Sequence, residues 1–212
     1  MSARDERVVQ DIRKIEELSK SVGGRVRIKK RSGNPVSQII LELEYPTAPS
    51  KSYPRTRQET TEVKIDLLSR YPFQEPTATI TTPIFHPNVY SSGKICFGTK
   101  WLPTQGLDLL VKRIIQIITF DETILNEMSP ANGSALSWYR SAINQHPESF
   151  PTEKLTVREE PRKKMSWSNV DADKESKALI LCPNCKKSLR APKGKTLNVK
   201  CPGCEHRFQI KT

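Results

Sequence analysis

Residues 71–103 read YPFQEPTATITTPIFHPNVYSSGKICFGTKWLP and carry the most specific pattern in the chain. The β-branched segment 77–82 predicts a short strand after Pro76. Residues 84–104 are irregular and rich in Pro, Gly, Asn and Ser, and loops of this length in compact domains are usually functional. Cys96 lies in that loop, and its polar surroundings favour a reachable thiol. A lone cysteine is weak support by itself, because most free cysteines are small buried hydrophobes.

The sequence before this stretch predicts one helix followed by strands. Residues 2–22 place an apolar residue at every third or fourth position, as one face of a helix requires. Residues 26–30, 36–45 and 60–67 read as strands separated by turns or a Pro-rich loop. Sequential strands with short connections favour an antiparallel meander, because parallel pairs need long crossovers.

The sequence after the stretch predicts two further helices. Residues 108–120 have helical apolar spacing, with Asp108 as the expected N-cap, and residues 131–145 form the second helix. The predicted fold class is therefore α+β, with an N-terminal helix, a four-stranded antiparallel meander and C-terminal helices.

Residues 59–104 resemble the ubiquitin-conjugating enzymes. That family runs from a strand into Tyr-Pro-Phe-x-x-Pro, another strand, His-Pro-Asn, the catalytic cysteine eight residues later, and Trp-x-Pro. The matching residues here are Tyr71, Pro72, Phe73, Pro76, His86, Pro87, Asn88, Cys96, Trp101 and Pro103. The resemblance covers about residues 5–147 and implies a UBC-like fold and an acyl (aminoacyl) transferase activity.

The resemblance implies that Cys96 accepts the C-terminus of a ubiquitin-like modifier as a thioester and passes it to an amine, most simply a lysine. The modifier would come from an activating enzyme, and a ligase and a target protein would be further partners. Asn88 would support the loop or donate to the oxyanion. His86 would be mainly structural, with an acid–base role as the alternative.

The resemblance also implies a gate for the acceptor amine near Asn126 or Glu127, and the sequence does not decide between them. Phe73, Pro103 and Thr104 fall where the family contacts ligases or the activating enzyme; ordinary loop packing is the alternative. Only four residues separate Cys96 from Trp101, and residues 46–57 lack the family's Tyr-x-Gly-Gly element. These departures indicate a divergent, prokaryotic-style member.

The C-terminal segment carries the other four cysteines, Cys182, Cys185, Cys201 and Cys204. Two C-x-x-C knuckles at this spacing predict one tetrahedral Zn²⁺, and with all four ligands cysteine the zinc would be structural. Redox dithiols or an iron–sulfur site are the alternatives. The segment resembles small zinc ribbons common in bacterial proteins, which implies a bacterial host. No cofactor is expected for catalysis.

Charge is concentrated in this same segment. The chain has 35 Lys+Arg and 23 Asp+Glu, a formal net charge of +12. From residue 179 onward there are eight basic residues and one acidic residue, Glu205, a net +7 before any metal is bound. This charge could dock weakly on nucleic acid or an acidic surface, or simply be solvated.

The 212 residues allow one full domain and a small second one. We predict a catalytic domain at 1–150, a charged linker at 151–178 and the zinc ribbon at 179–212. A folded extension over the first domain is the alternative for the linker. The charged N-terminus predicts no secretory signal, and no apolar run predicts a membrane span, so a cytoplasmic location is expected.

The leading hypothesis is a modifier-conjugating enzyme with an appended zinc ribbon. A second hypothesis is a non-catalytic adaptor on the same fold, although such members usually lack the cysteine. A third is a nucleic-acid binder led by the basic ribbon, against which the aromatic content of 7% argues.

Overall fold

The computed structural model describes residues 2–155, 177–192, 194 and 196–211. The chain divides into two compact units, Met1–Thr156 and Val157–Thr212, and each is described by itself. Among the described residues, none of the helices has the length and apolar character needed to cross a bilayer.

The first unit begins with helix α1, Ala3–Ser21. Ser2 and Asp5 form a capping box, in which the Ser2 hydroxyl accepts from the Asp5 N–H at 3.2 Å and the Asp5 carboxylate accepts from the Ser2 N–H at 3.0 Å. The predicted apolar stripe of α1 is buried against the sheet and α2, and it consists of Val8, Ile12, Ile15 and Leu18. The predicted N-terminal helix is confirmed.

The sheet of this unit has four antiparallel strands in the order β1-β2-β3-β4: Val26–Ser32, Gln38–Leu43, Thr61–Asp66 and Thr77–Ile80. The predicted meander is confirmed. In β3 buried residues alternate with half-buried ones, so that Val63 and Ile65 enter the core. Strand β2 begins at Gln38 and not at residue 36, because residues 33–36 form the turn after β1.

Helix α2, Leu107–Ile118, is buried on most of its surface, and α3, Gly133–Gln145, follows after a loop. The prediction that Asp108 caps α2 was wrong, because the N-cap is Gly106, which has no side chain to donate or accept. The missing cap comes from α1, where the buried Asp11 carboxylate accepts from the Leu107 N–H at 3.3 Å. The α3 cap is Asn132, whose side chain accepts from the Ala135 N–H at 3.0 Å.

Residues 151–155, which we predicted to begin the linker, form part of the first unit. The Thr152 N–H donates to the Thr119 carbonyl at 2.9 Å, and Glu153 forms a two-pronged ion pair with Arg25 at 2.5 and 2.6 Å. Leu155 packs against the main core. Specific polar contacts therefore order a segment whose composition resembles a linker. Residues 156–176 of the predicted linker lie outside the described residues.

The second unit consists of two antiparallel hairpins. Strand β5, Lys177–Leu181, pairs with β6, Ser188–Pro192, and β7, Thr196–Lys200, pairs with β8, Arg207–Lys211. Each of the two C-x-x-C pairs follows the first strand of a hairpin, so the topology brings all four cysteines to the turns.

Candidate active site and metal centre

The segment before Cys96 is held on the edge of β4. The Ile95 N–H donates to the Ala78 carbonyl and the Ile80 N–H donates to the Gly93 carbonyl, both at 2.9 Å. Gly93 has φ +82°, and a Cβ there would clash with the Ile80 carbonyl oxygen. Only glycine therefore allows the chain to approach β4 this closely, and that approach sets the position of Cys96.

Cys96 is half-buried, whereas its two neighbours Ile95 and Phe97 are buried. Its N–H donates to the Asn88 carbonyl at 2.8 Å. The residue lines an open groove of about 470 Å³. The anchored backbone and the partly exposed side chain agree with the predicted reachable thiol.

Asn88 is 1% exposed, and its side chain bridges two loops. Its Oδ1 accepts from the Asn126 N–H at 3.1 Å, and its Nδ2 donates to the Ile124 carbonyl at 3.0 Å. One of the two Nδ2 hydrogens is used in this way, which leaves the other for a further acceptor. The side chain can therefore support the loop and still supply a donor.

His86 is fully buried, and its ring lies 4.3 Å from that of Phe120, centroid to centroid. Its Nδ1 accepts from the Asn88 N–H at 2.9 Å, so the ring proton is on Nε2. Burial lowers the pKa of His86 to about 3, against a weaker opposing effect of the Ile117 backbone. The ring is neutral at physiological pH, which favours a structural role.

The side chains of Asn126 and Glu127 have different neighbours. The Asn126 side-chain oxygen accepts from the Ser129 N–H at 3.1 Å, and its Nδ2 lies 3.8 Å from the point where a Cβ on Gly98 would stand. Glu127 is exposed and accepts from the Arg140 guanidinium on α3 at 2.9 and 3.2 Å. Of the two candidates for the gate, Asn126 is thus the one beside the loop that follows Cys96.

The three residues predicted to bind partners lie on two loops that are joined by a hydrogen bond. They are Phe73 on one loop and Pro103 and Thr104 on the other. The Trp101 Nε1 donates to the Pro72 carbonyl at 2.6 Å, and Arg7 of α1 donates to the Pro103 carbonyl at 2.9 Å. Phe73 is 78% exposed, Thr104 is exposed and Pro103 is half-buried. Leu102, which we did not predict, is also exposed in the same loop.

Arg113 of α2 is a further residue that the sequence analysis missed. Its Nε and Nη2 both donate to the Phe97 carbonyl, at 3.2 and 2.9 Å, directly after Cys96. An arginine on an amphipathic helix gives no signal of this contact, because the contact depends on the short loop that joins Cys96 to Trp101.

The second unit brings its four cysteine sulfurs within 4.8 Å of one another. Cys182 and Cys204 are 3.6 Å apart, sulfur to sulfur, and Cys185 and Cys201 are 3.5 Å apart. A tetrahedral site with Zn–S bonds of about 2.3 Å has edges of about 3.8 Å, so the cluster has the size that Zn²⁺ requires.

Both knuckles have the same backbone form. The Lys186 N–H donates to the Cys182 carbonyl at 2.9 Å, and the Glu205 N–H donates to the Cys201 carbonyl at 2.8 Å. Lys186 and Glu205 have φ of 56° and 57°, so both chains turn back through the left-handed region. Backbone N–H groups also favour thiolates, and that of His206 contributes most to lowering the pKa of Cys204 to about 6. The residues fit a single metal ion.

Residues 57–153 match the family model described as ubiquitin-conjugating enzyme. This match contains the His-Pro-Asn segment, Cys96 and the loop with Asn126. The second unit lies outside the matched residues.

Curated relatives carry the same description. A ubiquitin-conjugating enzyme E2 of African swine fever virus is 32% identical over 108 residues, which are 45% of this chain and 48% of the relative. The ubiquitin-conjugating enzyme E2 2 of Mycosarcoma maydis is 34% identical over 79 residues, 36% of this chain and 40% of the relative. The human ubiquitin-conjugating enzyme E2 T is 32% identical over 68 residues, which are 32% of this chain and 34% of the relative. The matches span about half of these relatives' length or less.

Proposed function

We propose that this chain, whose first unit is a member of the ubiquitin-conjugating enzyme family, carries a ubiquitin-like modifier on Cys96 and transfers it to an amine. The observation that carries the proposal is the anchored, half-buried Cys96 beside the Asn88–Asn126 bridge. A thiol at this position is accessible to a partner, and its backbone is held still while the partner approaches.

The reaction consists of two acyl transfers. In the first, the Cys96 thiolate attacks the modifier carbonyl, which arrives as a thioester on an activating enzyme, and the thiol of that enzyme leaves. In the second, an acceptor amine attacks the carbonyl, the C–N bond forms, Cys96 leaves as thiolate and the amine loses a proton. The acyl group is already activated, so the thiol needs only modest activation.

Asn88 acts on the oxyanion that develops in both steps. Its Nδ2 is fixed by the bond to Ile124, and the remaining N–H supplies a donor that needs no reorganisation. A donor of this kind contributes about 2–4 kcal/mol to transition-state stabilisation. His86 holds the Asn88 backbone through Nδ1 and takes no part in proton transfer.

Asn126 positions the acceptor amine in this proposal. Its side chain is oriented by Ser129 and lies beside Gly98, two residues beyond Cys96. Glu127 is bound to Arg140, which supports a role in packing the loop onto α3.

The exposed residues Phe73, Leu102 and Thr104, with the half-buried Pro103, form the surface for an activating enzyme or a ligase. The hydrogen bond between Trp101 and Pro72 keeps their two loops together. The zinc ribbon binds one structural Zn²⁺ and directs the enzyme to its target. The cytoplasmic location and the bacterial host stay predictions.

The test is thioester formation in an ATP-supplemented lysate of the source cells. Wild-type chain should gain an adduct that a thiol reductant removes, and Cys96→Ala should gain none. An adduct of the same size on Cys96→Ala would contradict the proposal, as would an adduct on wild type that survives the reductant.

A further inference from the structure

The hairpin formed by β7 and β8 has one apolar face and one polar face. Exposed residues alternate with half-buried ones along both strands, as successive side chains of a strand point to opposite faces. The half-buried positions are all apolar and comprise Leu197, Val199, Phe208 and Ile210. We call the exposed face the β7–β8 cationic face, and it comprises Thr196, Asn198, Lys200, Arg207, Gln209 and Lys211.

The β7–β8 cationic face carries a charge arrangement that disfavours the hairpin itself. Lys200 lies directly opposite Arg207 in the register of the two strands, and like charges in this position are destabilising. The Glu205 carboxylate lies 3.2 Å from the Lys200 ammonium, but its side chain is 82% exposed, and exposed ion pairs of this kind contribute little. Hairpin stability therefore does not explain the arrangement, whereas binding of a polyanion does.

Two side-chain amides lie between the cations. Asn198 pairs with Gln209 in the middle of the hairpin, with Lys211 at one end and the Lys200–Arg207 pair at the other. Arg207 and Lys211 are four residues apart on β8, which separates their backbones by about 13 Å. Lysine and arginine bind phosphates, and asparagine and glutamine bond to the sugar–phosphate backbone or to base edges. The face thus combines the two kinds of contact that nucleic acids offer.

We propose that the β7–β8 cationic face binds double-stranded DNA. A two-stranded ribbon fits the major groove of B-form DNA, whereas the major groove of duplex RNA is too narrow for side chains to read. Single strands are bound largely by stacking on aromatic rings, and none of the six residues of the face is aromatic. The inference goes beyond the transfer reaction at Cys96 and does not depend on it. DNA binding would bring the enzyme close to proteins that are themselves bound to DNA.

Fluorescence anisotropy of a labelled DNA duplex, about two helical turns long, measures binding to the zinc-loaded full chain. Each phosphate that a cation neutralises releases counterions, so three contacts predict a slope of about −2.7 in log affinity against log salt. That slope corresponds to a loss of about 40-fold between 50 and 200 mM salt. The DNA duplex should also bind about fivefold or more tightly than either one of its single strands or a duplex RNA of the same sequence.

Two charge variants of the same unit locate the binding surface. Arg207→Gln/Lys211→Gln removes two cations from the face, so it should weaken duplex binding about tenfold or more and reduce the salt slope by about 2. Lys186→Gln/Lys187→Gln removes the same charge from exposed residues in the turn of the first knuckle, and it should leave the slope nearly unchanged. Native mass spectrometry checks that both variants keep their zinc.

Several results would overturn the inference. They are the absence of duplex binding, an equal loss of binding in both variants, and equal or tighter binding of the single strand or the duplex RNA. Complete competition by polyglutamate at the same concentration of charge would also overturn it, and would indicate an acidic protein as the partner. Thioester formation should be unchanged in Arg207→Gln/Lys211→Gln, so the failure of either proposal is visible without the other.

Discussion

At the scale of single residues, the loop around Cys96 is organised by two buried polar side chains. Asn88 joins the His-Pro-Asn segment to residues 124–126, and His86 holds the backbone of Asn88. Both are buried, so their hydrogen bonds are shielded from water and are costly to break.

Replacing His86 should change how stability depends on pH. Burial lowers its folded-state pKa to about 3, whereas an unfolded histidine titrates near 6.5. Between these values only the unfolded chain binds a proton at residue 86. The stability that the neutral, buried ring contributes is therefore complete above about pH 6.5 and is lost as the pH falls. The expected slope is about 1.4 kcal/mol per pH unit.

Urea unfolding from pH 7 to pH 4 measures this slope. The slope of stability against pH should be smaller in His86→Gln and unchanged in the exposed control His146→Gln. His86→Gln should also be less stable than the wild-type chain at pH 7. An unchanged slope in His86→Gln would show that other groups cause the acid sensitivity.

Arg113 should control the mobility of the loop after Cys96. Hydrogen bonds from a charged donor contribute about 1.5–3 kcal/mol, so Arg113→Ala should speed local opening about tenfold or more. Hydrogen exchange of the peptide containing residues 97–101 measures this. Arg113→Lys should recover part of the protection, and Lys112→Ala, the exposed neighbour, should have no effect. Unchanged exchange in Arg113→Ala would contradict the assignment.

At the scale of elements, Asp11 joins α1 to α2 and to the loop that precedes α2. It is fully buried, and its carboxylate accepts from Arg7, from the Tyr71 hydroxyl and from the Leu107 N–H. Arg7 in turn donates to the carbonyls of Pro103 and Gln105. Burial, followed by the Asp11 carboxylate, raises the pKa of Tyr71, so its hydroxyl stays a donor.

Removing this carboxylate should destabilise the first unit strongly. Asp11→Ala leaves Arg7 and the first turn of α2 without their partner, and breaking a buried ion pair costs about 3–5 kcal/mol. Glu17→Ala breaks the pair with Arg13 on the same helix, which is largely exposed, and should cost less than about 0.5 kcal/mol. Urea unfolding at pH 7 compares the two variants. Similar losses in both would contradict the role of Asp11.

The elements show what the sequence could and could not predict. Strand alternation and helical spacing located α1, the meander and both later helices, because those patterns follow from burial of one face. The cap of α2 was missed, because its partner Asp11 lies 96 residues away in sequence. The position of residues 151–155 is likewise fixed by distant partners, Arg25 and Thr119.

In the candidate site too, some features follow from local sequence and others depend on distant residues. The motif spacing singled out Cys96 and Asn88 as candidates, and the paired C-x-x-C spacing predicted the four cysteines that the structure brings together. The proposal of Asn126 over Glu127 rests on the positions of Gly98 and Arg140, which adjacent sequence does not contain.

At the scale of the whole molecule, two units with different sources of stability share one chain. The first has an apolar core that includes the sheet, α1 and α2. In the described part of the second, the buried side chains are Ile180, Ala191 and two of the cysteines. With so little apolar burial among its described residues, this unit is expected to fold only with a bound metal ion.

Removing zinc should therefore unfold the second unit alone. One Zn²⁺ per chain is expected by native mass spectrometry, and a strong chelator should abolish hydrogen-exchange protection in β5–β8 while β1–β4 stay protected. Cys96→Ser should keep its zinc, and Cys182→Ser should lose it. Protection of β5–β8 that survives complete removal of the metal would contradict this account.

The most direct test of acyl transfer at Cys96 is the intact mass of Cys96→Ser purified from the source cells, beside Cys96→Ala. Serine at this position should trap the modifier as an oxyester, which withstands thiol reductants and is cleaved by hydroxide. We predict a mass increment on Cys96→Ser, equal to one modifier, and none on Cys96→Ala. The absence of any increment on Cys96→Ser, in cells where the wild-type chain is active, would contradict acyl transfer at this residue.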